Sequence, residues 1–353
     1  MNIVIRADAS IKIGGGHIMR CISLATYLKN YVNNIYFISS NSDNNLKDYV
    51  LSCGFEFYEI QHFDVDSTKK YNFQKNDADQ SIPILEKIKK IDWVIVDHYQ
   101  LDVIWETRIR PYTSKIMVID DLANRFHDCD LLLDQNWFNN MNNRYNNLMG
   151  KAVCLFGPKY ALLRNEFLKA RKLQKTREGS VNRILIFFGS GDPENFTGKL
   201  LKLLSISEFK NIYVDVVVGS MNPNIKKIYK QVYSRQNTSL HVQTRNMAQI
   251  ISKVDLALCA GGSTTWERMC LGLPSMVWTL AENQREFTKD LDSSGFLVWM
   301  GDASNFSISK SKLKLRRIVL SPNSNSLMSK KCRKLVDGNG VERVGQKILE
   351  LST

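Results

Sequence analysis

A histidine set directly after three glycines, Gly14-Gly15-Gly16-His17, is the segment of this chain best suited to chemistry. It follows the apolar run Asn2–Ile5 and opens the amphipathic stretch Ile18–Lys29, so the pattern predicts a strand, a tight turn and a helix. Glycines in such a turn let backbone N–H groups close on a phosphate or diphosphate at the positive end of the helix. An imidazole beside that anion has the pKa of a general base near neutrality. The segment thus points to chemistry on a nucleotide-activated substrate. A helix-opening histidine is also an ordinary capping or packing residue, and the loop alone leaves both readings open. The spacing is not GxGxxG, no acidic residue stands at Ser39-Ser40, and GxxxxGK[ST] is absent, which disfavours a dinucleotide site and an ATP-hydrolysing P-loop.

Four further groupings have chemical potential. The turn Ala260-Gly261-Gly262-Ser263-Thr264 falls between a predicted strand, Leu256–Cys259, and a predicted helix, Thr265–Leu271. Its N–H and O–H groups suit a diphosphate, and Glu267, one turn on, suits a ribose diol; a simple N-cap with Glu267 completing a capping box is the alternative. A third turn, Phe188-Gly189-Ser190-Gly191-Asp192, lets a ligand approach Gly189 closely, or uses glycine for turn geometry alone. In the first half, Val96-Asp97-His98-Tyr99 and Ile119-Asp120-Asp121 each end a predicted strand. Both belong to the C-terminal sheet edge where αβ enzymes keep site residues, with Asp97 orienting a loop and Tyr99 donating to a sugar hydroxyl or phosphate; a buried polar network is the alternative. Asn283-Gln284 supplies carboxamides that match sugar hydroxyls and acetamido groups, and that also cap helices.

These groups need elements to hold them. Short apolar runs at Ile3–Ile5, Ile35–Ser39, Trp93–Val96, Ile116–Ile119, Leu131–Leu133 and Val153–Phe156 suit buried parallel strands, with helices at Ile18–Lys29, Ile82–Lys90 and Asp102–Ile109. The alternation restarts with strands at Ile184–Phe188, Tyr213–Val218, Ser239–Gln243, Leu256–Cys259 and Ser275–Trp278. Helices are predicted at Thr197–Leu204, Asn224–Tyr233, Met247–Ser252, Thr265–Leu271 and Gln284–Ser293. The expected organisation is an N-terminal Rossmann-like domain over 1–167 carrying the base, a linker over 168–182 with an exposed crossing helix as its alternative, a C-terminal Rossmann-like nucleotide domain over 183–335, and a final helix over 336–353 that packs on either domain. The ligand is expected in a cleft facing the C-terminal edges of both sheets.

Composition narrows the classes. The 353 residues are 44% hydrophobic, enough for two cores. The start, MNIVIRADAS, lacks a signal-peptide apolar stretch, and no apolar run reaches the roughly 18 residues of a membrane span, so a cytoplasmic location is expected. Seven cysteines without CxxC spacing read as buried hydrophobes, and five histidines without HxxxH or HExxH do not support a zinc site. The net charge of +13 raises nucleic acid or a polyanionic substrate. Its excess sits at Lys199–Lys210, Lys226–Lys230, Lys310–Arg317 and Lys330–Lys334, which read as solvated helix faces, with no RNA-binding pattern beside them.

Taken together, IRADASIKIGGGHIMRC, VIVDHYQLD, VIDDLANRFHDCDLLLDQN, FGPKYALLRNEF, AGGSTTWERMCLGLPS and ENQ resemble, in order, the UDP-2,4-diacetamido-2,4,6-trideoxy-β-L-altropyranose hydrolases of pseudaminic acid biosynthesis. The match runs to about Gln284, with a weaker one near Asp337–Val344. It implies a GT-B fold like that of the lipid II glucosaminyltransferase, two Rossmann-like domains with a UDP-sugar between them, and inverting hydrolysis at the anomeric carbon without metal or cofactor. It implies His17 as base, Tyr99 and Asn283 in contact with substrate, and Glu267 at the ribose position. Gly14, Gly16, Arg20, Asp97, Gly189, Gly261, Gly262, Ser263, Thr264 and Gln284 complete the expected substrate site. Arg6 and Asp8 also fall on motif positions, without an assigned role. The expected partner is a UDP-sugar, with no nucleic acid, no membrane span and a monomeric state. A glycosyltransferase in which His17 deprotonates an acceptor hydroxyl is the rival, and a non-catalytic nucleotide-sugar or RNA-binding protein a second one. Relative to short members of the family, this chain has added material around Asn41–Asp79 and beyond Gly301.

Overall fold

A computed structural model describes residues 1–8, 15–40, 44–62, 70–189 and 191–352. The chain divides into two compact units, Met1–Arg164 with Asn339–Thr353, and Asn165–Gly338.

The first unit runs β1 (Asn2–Ala7), α1 (Gly16–Leu28), β2 (Asn34–Ser40), α2 (Asn44–Ser52), β3 (Glu56–Ile60), α3 (Lys70–Ile88), β4 (Ile91–Asp97), α4 (Val103–Ile109), β5 (Thr113–Ile119), β6 (Leu131–Asp134) and β7 (Val153–Phe156). Its seven strands are ordered β3-β2-β1-β4-β5-β6-β7, and every pairing is parallel. Such strands are covered on both faces, which is why β1 and β4 read as continuous apolar runs rather than alternating ones. The connections reverse between β1 and β4. Their C-terminal ends, Ala7 paired with Asp97, therefore flank the switch-point crevice of a doubly wound sheet.

The second unit runs α5 (Asn165–Leu173), β8 (Arg183–Phe187), α6 (Phe196–Leu204), β9 (Tyr213–Val218), α7 (Ile225–Ser234), β10 (Thr238–Val242), α8 (Met247–Lys253), β11 (Leu256–Ala260), α9 (Thr264–Cys270), β12 (Ser275–Thr279), α10 (Arg285–Ser293), β13 (Val298–Asp302), α11 (Ile308–Val319) and α12 (Pro322–Leu335). Its six parallel strands are ordered β10-β9-β8-β11-β12-β13, again reversing beside the first strand, β8. The last helix, α13 (Gly340–Ser352), returns to the first unit. There Val344 and Ile348 join the core formed by β1, β4 and α1, and Trp93 Nε1 donates to Ser352 Oγ at 2.8 Å. Two glycines permit the contact: a Cβ on Gly345 would lie 2.4 Å from the Tyr27 ring, and one on Gly340 would lie 2.3 Å from the Ala161 carbonyl oxygen.

Several elements differ from the sequence expectation. The stretch 168–182 opens inside α5, whose Arg171 donates to the Cys270 and Arg333 carbonyls at 2.6 and 2.8 Å. Helix α3 begins at Lys70 rather than Ile82 and contains Pro83. Its N-terminal half buries Gln74, Asp77 and Ser81 beside Phe73 and Ala78, so it has no apolar stripe for periodicity to detect. In the added material around Asn41–Asp79, residues 41–43 and 63–69 lie outside the described residues, and Asn44 opens α2. The strands β3 and β13 were also not expected; each sits at a sheet edge and has several half-buried or exposed residues, which blurs the strand pattern. The added basic segment beyond Gly301 forms α11 and α12.

Candidate active site

Helix α1 starts at Gly16, with Gly15 as its N-cap and no side-chain cap. Residues 9–14, Gly14 among them, lie outside the described residues. His17, Arg20 and Cys21, spaced i, i+3 and i+4, share one buried face of α1 and converge on Asp97 at the end of β4. His17 Nδ1 lies 2.5 Å from Asp97 Oδ1; Arg20 donates from Nε to Asp97 Oδ2 and from Nη2 to Asp97 Oδ1, each at 2.5 Å; Cys21 Sγ lies 3.6 Å from Asp97 Oδ2. Asp97 is buried, which by itself would raise its pKa, but Arg20 and then His17 outweigh burial and hold the carboxyl far below the usual carboxylate range. A permanently ionised carboxylate against Nδ1 requires the proton there. In neutral His17 the lone pair is then on Nε2, ready to accept a proton.

Tyr99, two residues past β4, packs its ring edge-on to the His17 imidazole, centroids 4.7 Å apart at 86°. Its hydroxyl donates to Asp121 Oδ2 at 3.3 Å, and Arg20 Nη1 lies 3.7 Å from the same oxygen. Burial and then the Asp121 charge push the phenol far above its ordinary value, so Tyr99 stays a hydrogen-bond donor across the neutral range. Sequence reasoning leaves Asp121 at a strand end without a role, because nothing local reports that the crossover from β4 to β5 brings it beside Tyr99.

Arg6 and Asp8 belong to a separate buried network. Arg6 donates to Asp77 from Nε at 3.2 Å and Nη2 at 2.6 Å, and to Asp8 from Nη1 and, at 3.1 Å, Nη2. Asp8 also accepts from the Ser40 N–H and Ser40 Oγ at 2.7 Å and from Ser39 Oγ at 3.2 Å, and lies 3.0 Å from His98 Nε2. These bonds tie the ends of β1, β2 and β4 to α3.

In the second unit, β11 ends at Ala260 and the chain turns through Gly261, Gly262 and Ser263 into α9. Ser263 makes no side-chain cap bond, so the simple N-cap alternative is not realised by its hydroxyl. Gln284 brackets the turn: its amide Oε1 accepts from the Leu280 N–H at 2.9 Å, and its Nε2 is 3.9 Å from where a Gly262 Cβ would be. A Cβ on Gly261 would meet Thr288 Oγ1 at 3.0 Å. The buried Arg268, which sequence reasoning did not single out, donates to Thr264 Oγ1 at 2.9 Å, Thr265 Oγ1 at 3.1 Å and Ser275 Oγ at 3.2 Å, fixing the first turn of α9. Glu267 is half-buried one turn into that helix, and Asn283 is exposed in the short 3₁₀ turn Glu282–Gln284. Gly189 has φ +82°, so its glycine answers a backbone requirement, and Asp192, three residues before the α6 N-cap Asn195, accepts from the Phe196 and Thr197 N–H groups at 2.8 and 2.9 Å. Ser190 lies outside the described residues.

Two doubly wound Rossmann-like units in one chain define the GT-B class of fold. The whole-chain structural likenesses agree: MurG of Acinetobacter baumannii superposes with a TM-score of 0.69 over 99% of this chain and 100% of that one at 14% identity. The UDP-GlcNAc 2-epimerase of Neisseria meningitidis, bound to UDP-GlcNAc, gives 0.63 over 99% and 100% at 13% identity. No family model matches the sequence. Among curated proteins, the chain is 24% identical to the spore coat polysaccharide biosynthesis protein SpsG of Bacillus subtilis over 98% of this chain and 96% of that one. It is 25% identical to the UDP-2,4-diacetamido-2,4,6-trideoxy-β-L-altropyranose hydrolase of Campylobacter jejuni over 84% and 98%. It is 29% identical over 82% of its length to the uncharacterized protein MJ1062 of Methanocaldococcus jannaschii, and spans 58% of that protein.

Proposed function

We propose that this chain hydrolyses a UDP-linked 2,4-diacetamido-2,4,6-trideoxy sugar, with His17 as general base. The observation that carries the reading is the His17 imidazole with Nδ1 held by the buried Asp97 carboxylate. Such a group accepts a proton on Nε2 while Asp97 stabilises the imidazolium that forms. In the proposed step a water oxygen bonds to the anomeric carbon, its proton passes to His17 Nε2, and the bond from that carbon to the β-phosphate oxygen breaks, releasing UDP with inversion. Arg20 keeps Asp97 anionic, so the proton stays on the imidazole. Tyr99 offers a hydroxyl beside the base. Within the second unit, the turn Ala260–Thr264, with Gln284 beside it and Glu267 one turn on, is the proposed holder of the nucleotide, its N–H groups suited to a diphosphate. The likeness to the Campylobacter hydrolase supports the choice of substrate and of water as acceptor.

The test is release of UDP from UDP-2,4-diacetamido-2,4,6-trideoxy-β-L-altropyranose in EDTA with no acceptor present, beside His17→Ala. Release by the wild type that the variant loses is the expected result. Tight UDP binding without release would move the assignment to a glycosyltransferase awaiting its acceptor.

A further inference from the structure

The C-terminal edge of β4, β5 and β6 gathers four carboxylates, and two of them, Asp97 and Asp134, accept hydrogen bonds on both oxygens. Asp97 is held by His17 and Arg20. Asp134 accepts from the Asn136 N–H at 2.9 Å and pairs with Arg144 and the Tyr145 hydroxyl. Asp120 accepts from Tyr145 at 3.0 Å and the Ala123 N–H at 3.0 Å through Oδ2; its Oδ1 has no hydrogen bond among the described residues but is compensated by the Arg125 guanidinium, Nη2 at 2.8 Å. Asp121 differs in its cation, Arg20 Nη1, which lies 3.7 Å away at Oδ2. Its Oδ2 takes the Tyr99 hydroxyl, whereas its Oδ1 is buried with no hydrogen-bond partner among the described residues. The side chain is 10% exposed. Burial, ahead of the opposing pull of Arg20, pushes its pKa up, as burial also does for the hydrogen-bonded Asp134.

An acceptor left unpaired in a buried site destabilises the free protein, and is satisfied when a ligand brings a donor to it. The anion of a diphosphate would be repelled there. A sugar ring instead carries O–H and acylamino N–H donors, which a carboxylate oxygen accepts. Asp121 also belongs to the base's own assembly: Tyr99 links it to the His17 ring and Arg20 links it to Asp97. We infer that Asp121 is a sugar-binding residue, its Oδ1 accepting an O–H or N–H of the sugar of a bound nucleotide sugar next to His17. The inference rests on the nucleotide-sugar reading above and adds a residue that recognises the sugar independently of the nucleotide.

Binding separates the two. In the turnover-silenced His17→Ala protein, where Arg20 still holds Asp97, dissociation constants are measured by calorimetry for UDP and for UDP-2,4-diacetamido-2,4,6-trideoxy-β-L-altropyranose, with and without Asp121→Ala. The expected result is UDP affinity unchanged within about twofold and sugar-nucleotide affinity weakened about tenfold or more, as for a lost hydrogen bond to a charged group. Equal weakening of both ligands, or no change for the sugar nucleotide, would overturn the assignment. Failure of UDP to bind the parent protein would sink the nucleotide-sugar reading itself, and the inference with it. A second variant, Asp121→Asn in the otherwise native chain, should melt no lower than wild type because it removes an incompletely solvated charge. A Tm several degrees lower would identify Asp121 as a structural residue and overturn the inference.

Discussion

At the scale of single residues, the arrangement around His17 separates two jobs that a sequence motif runs together. In the proposed reaction the imidazole carries the proton, and Asp97 and Arg20 decide which nitrogen is free to take it. Replacing His17 by Ala should lower kcat for UDP release by about a hundred- to ten-thousandfold. Asp97→Asn removes the charge that fixes the tautomer, and kcat should fall on the order of a hundredfold or more with KM little changed, read from steady-state kinetics. Asp97 also bears on stability. Its folded pKa is depressed below the unfolded value, so its contribution is fully present above that value, about pH 4, and is lost as pH falls further. Asp8, held low against burial by Arg6 and His98, adds to the same window. Urea midpoints measured from pH 6 down to pH 2 should therefore fall more gently in Asp97→Asn than in wild type, from a lower starting stability.

At the scale of elements, α13 carries a consequence for the first unit although it is last in the chain. Ile348 is fully buried in the core shared by β1, β4 and α1, and truncating it to Ala should cost about 2–5 kcal/mol in denaturant unfolding. Gly340→Ala should be comparably harmful for another reason. The atoms that its Cβ would strike are the backbone of Tyr160 and Ala161, which cannot rotate away as a side chain can. An unaltered melting curve for either variant would mean that α13 does not hold this unit together. Elements missed by periodicity share a cause. Helix α3 turns Asp77 and Gln74 inward because Arg6, Trp105 and the Asp102 N–H supply their hydrogen bonds, so its buried face is polar.

At the scale of the whole molecule, the proposed function assigns nucleotide binding and catalysis to different units, and variants should separate them. UDP at about a hundred times its Kd should stabilise the protein by roughly 2.7 kcal/mol through linkage, visible as a rise in Tm. Gly261→Val, whose side chain would crowd Thr288 and Val277, should abolish that rise, whereas His17→Ala should retain it. A Tm response lost in His17→Ala and kept in Gly261→Val would reverse the assignment. The net charge of +13 is not one free cationic surface, since basic residues such as Arg316 and Lys312 pair locally with Glu208, so total charge is a poor guide to a partner.

The sequence by itself determined the alternation of buried strands and helices, because parallel strands covered on both faces must be uniformly apolar. It also marked the two glycine turns and His17, because close packing such as that over Gly261 leaves little room for a side chain. Only the tertiary structure decided what His17 touches. Asp97 is 80 positions away in the chain, and the crossover that makes β1 and β4 neighbours sets a carboxylate under the first turn of α1. The same holds for Arg6, Asp8 and Asp121. Their partners are chosen by strand order, and strand order arises from how whole layers pack rather than from any local pattern of residues.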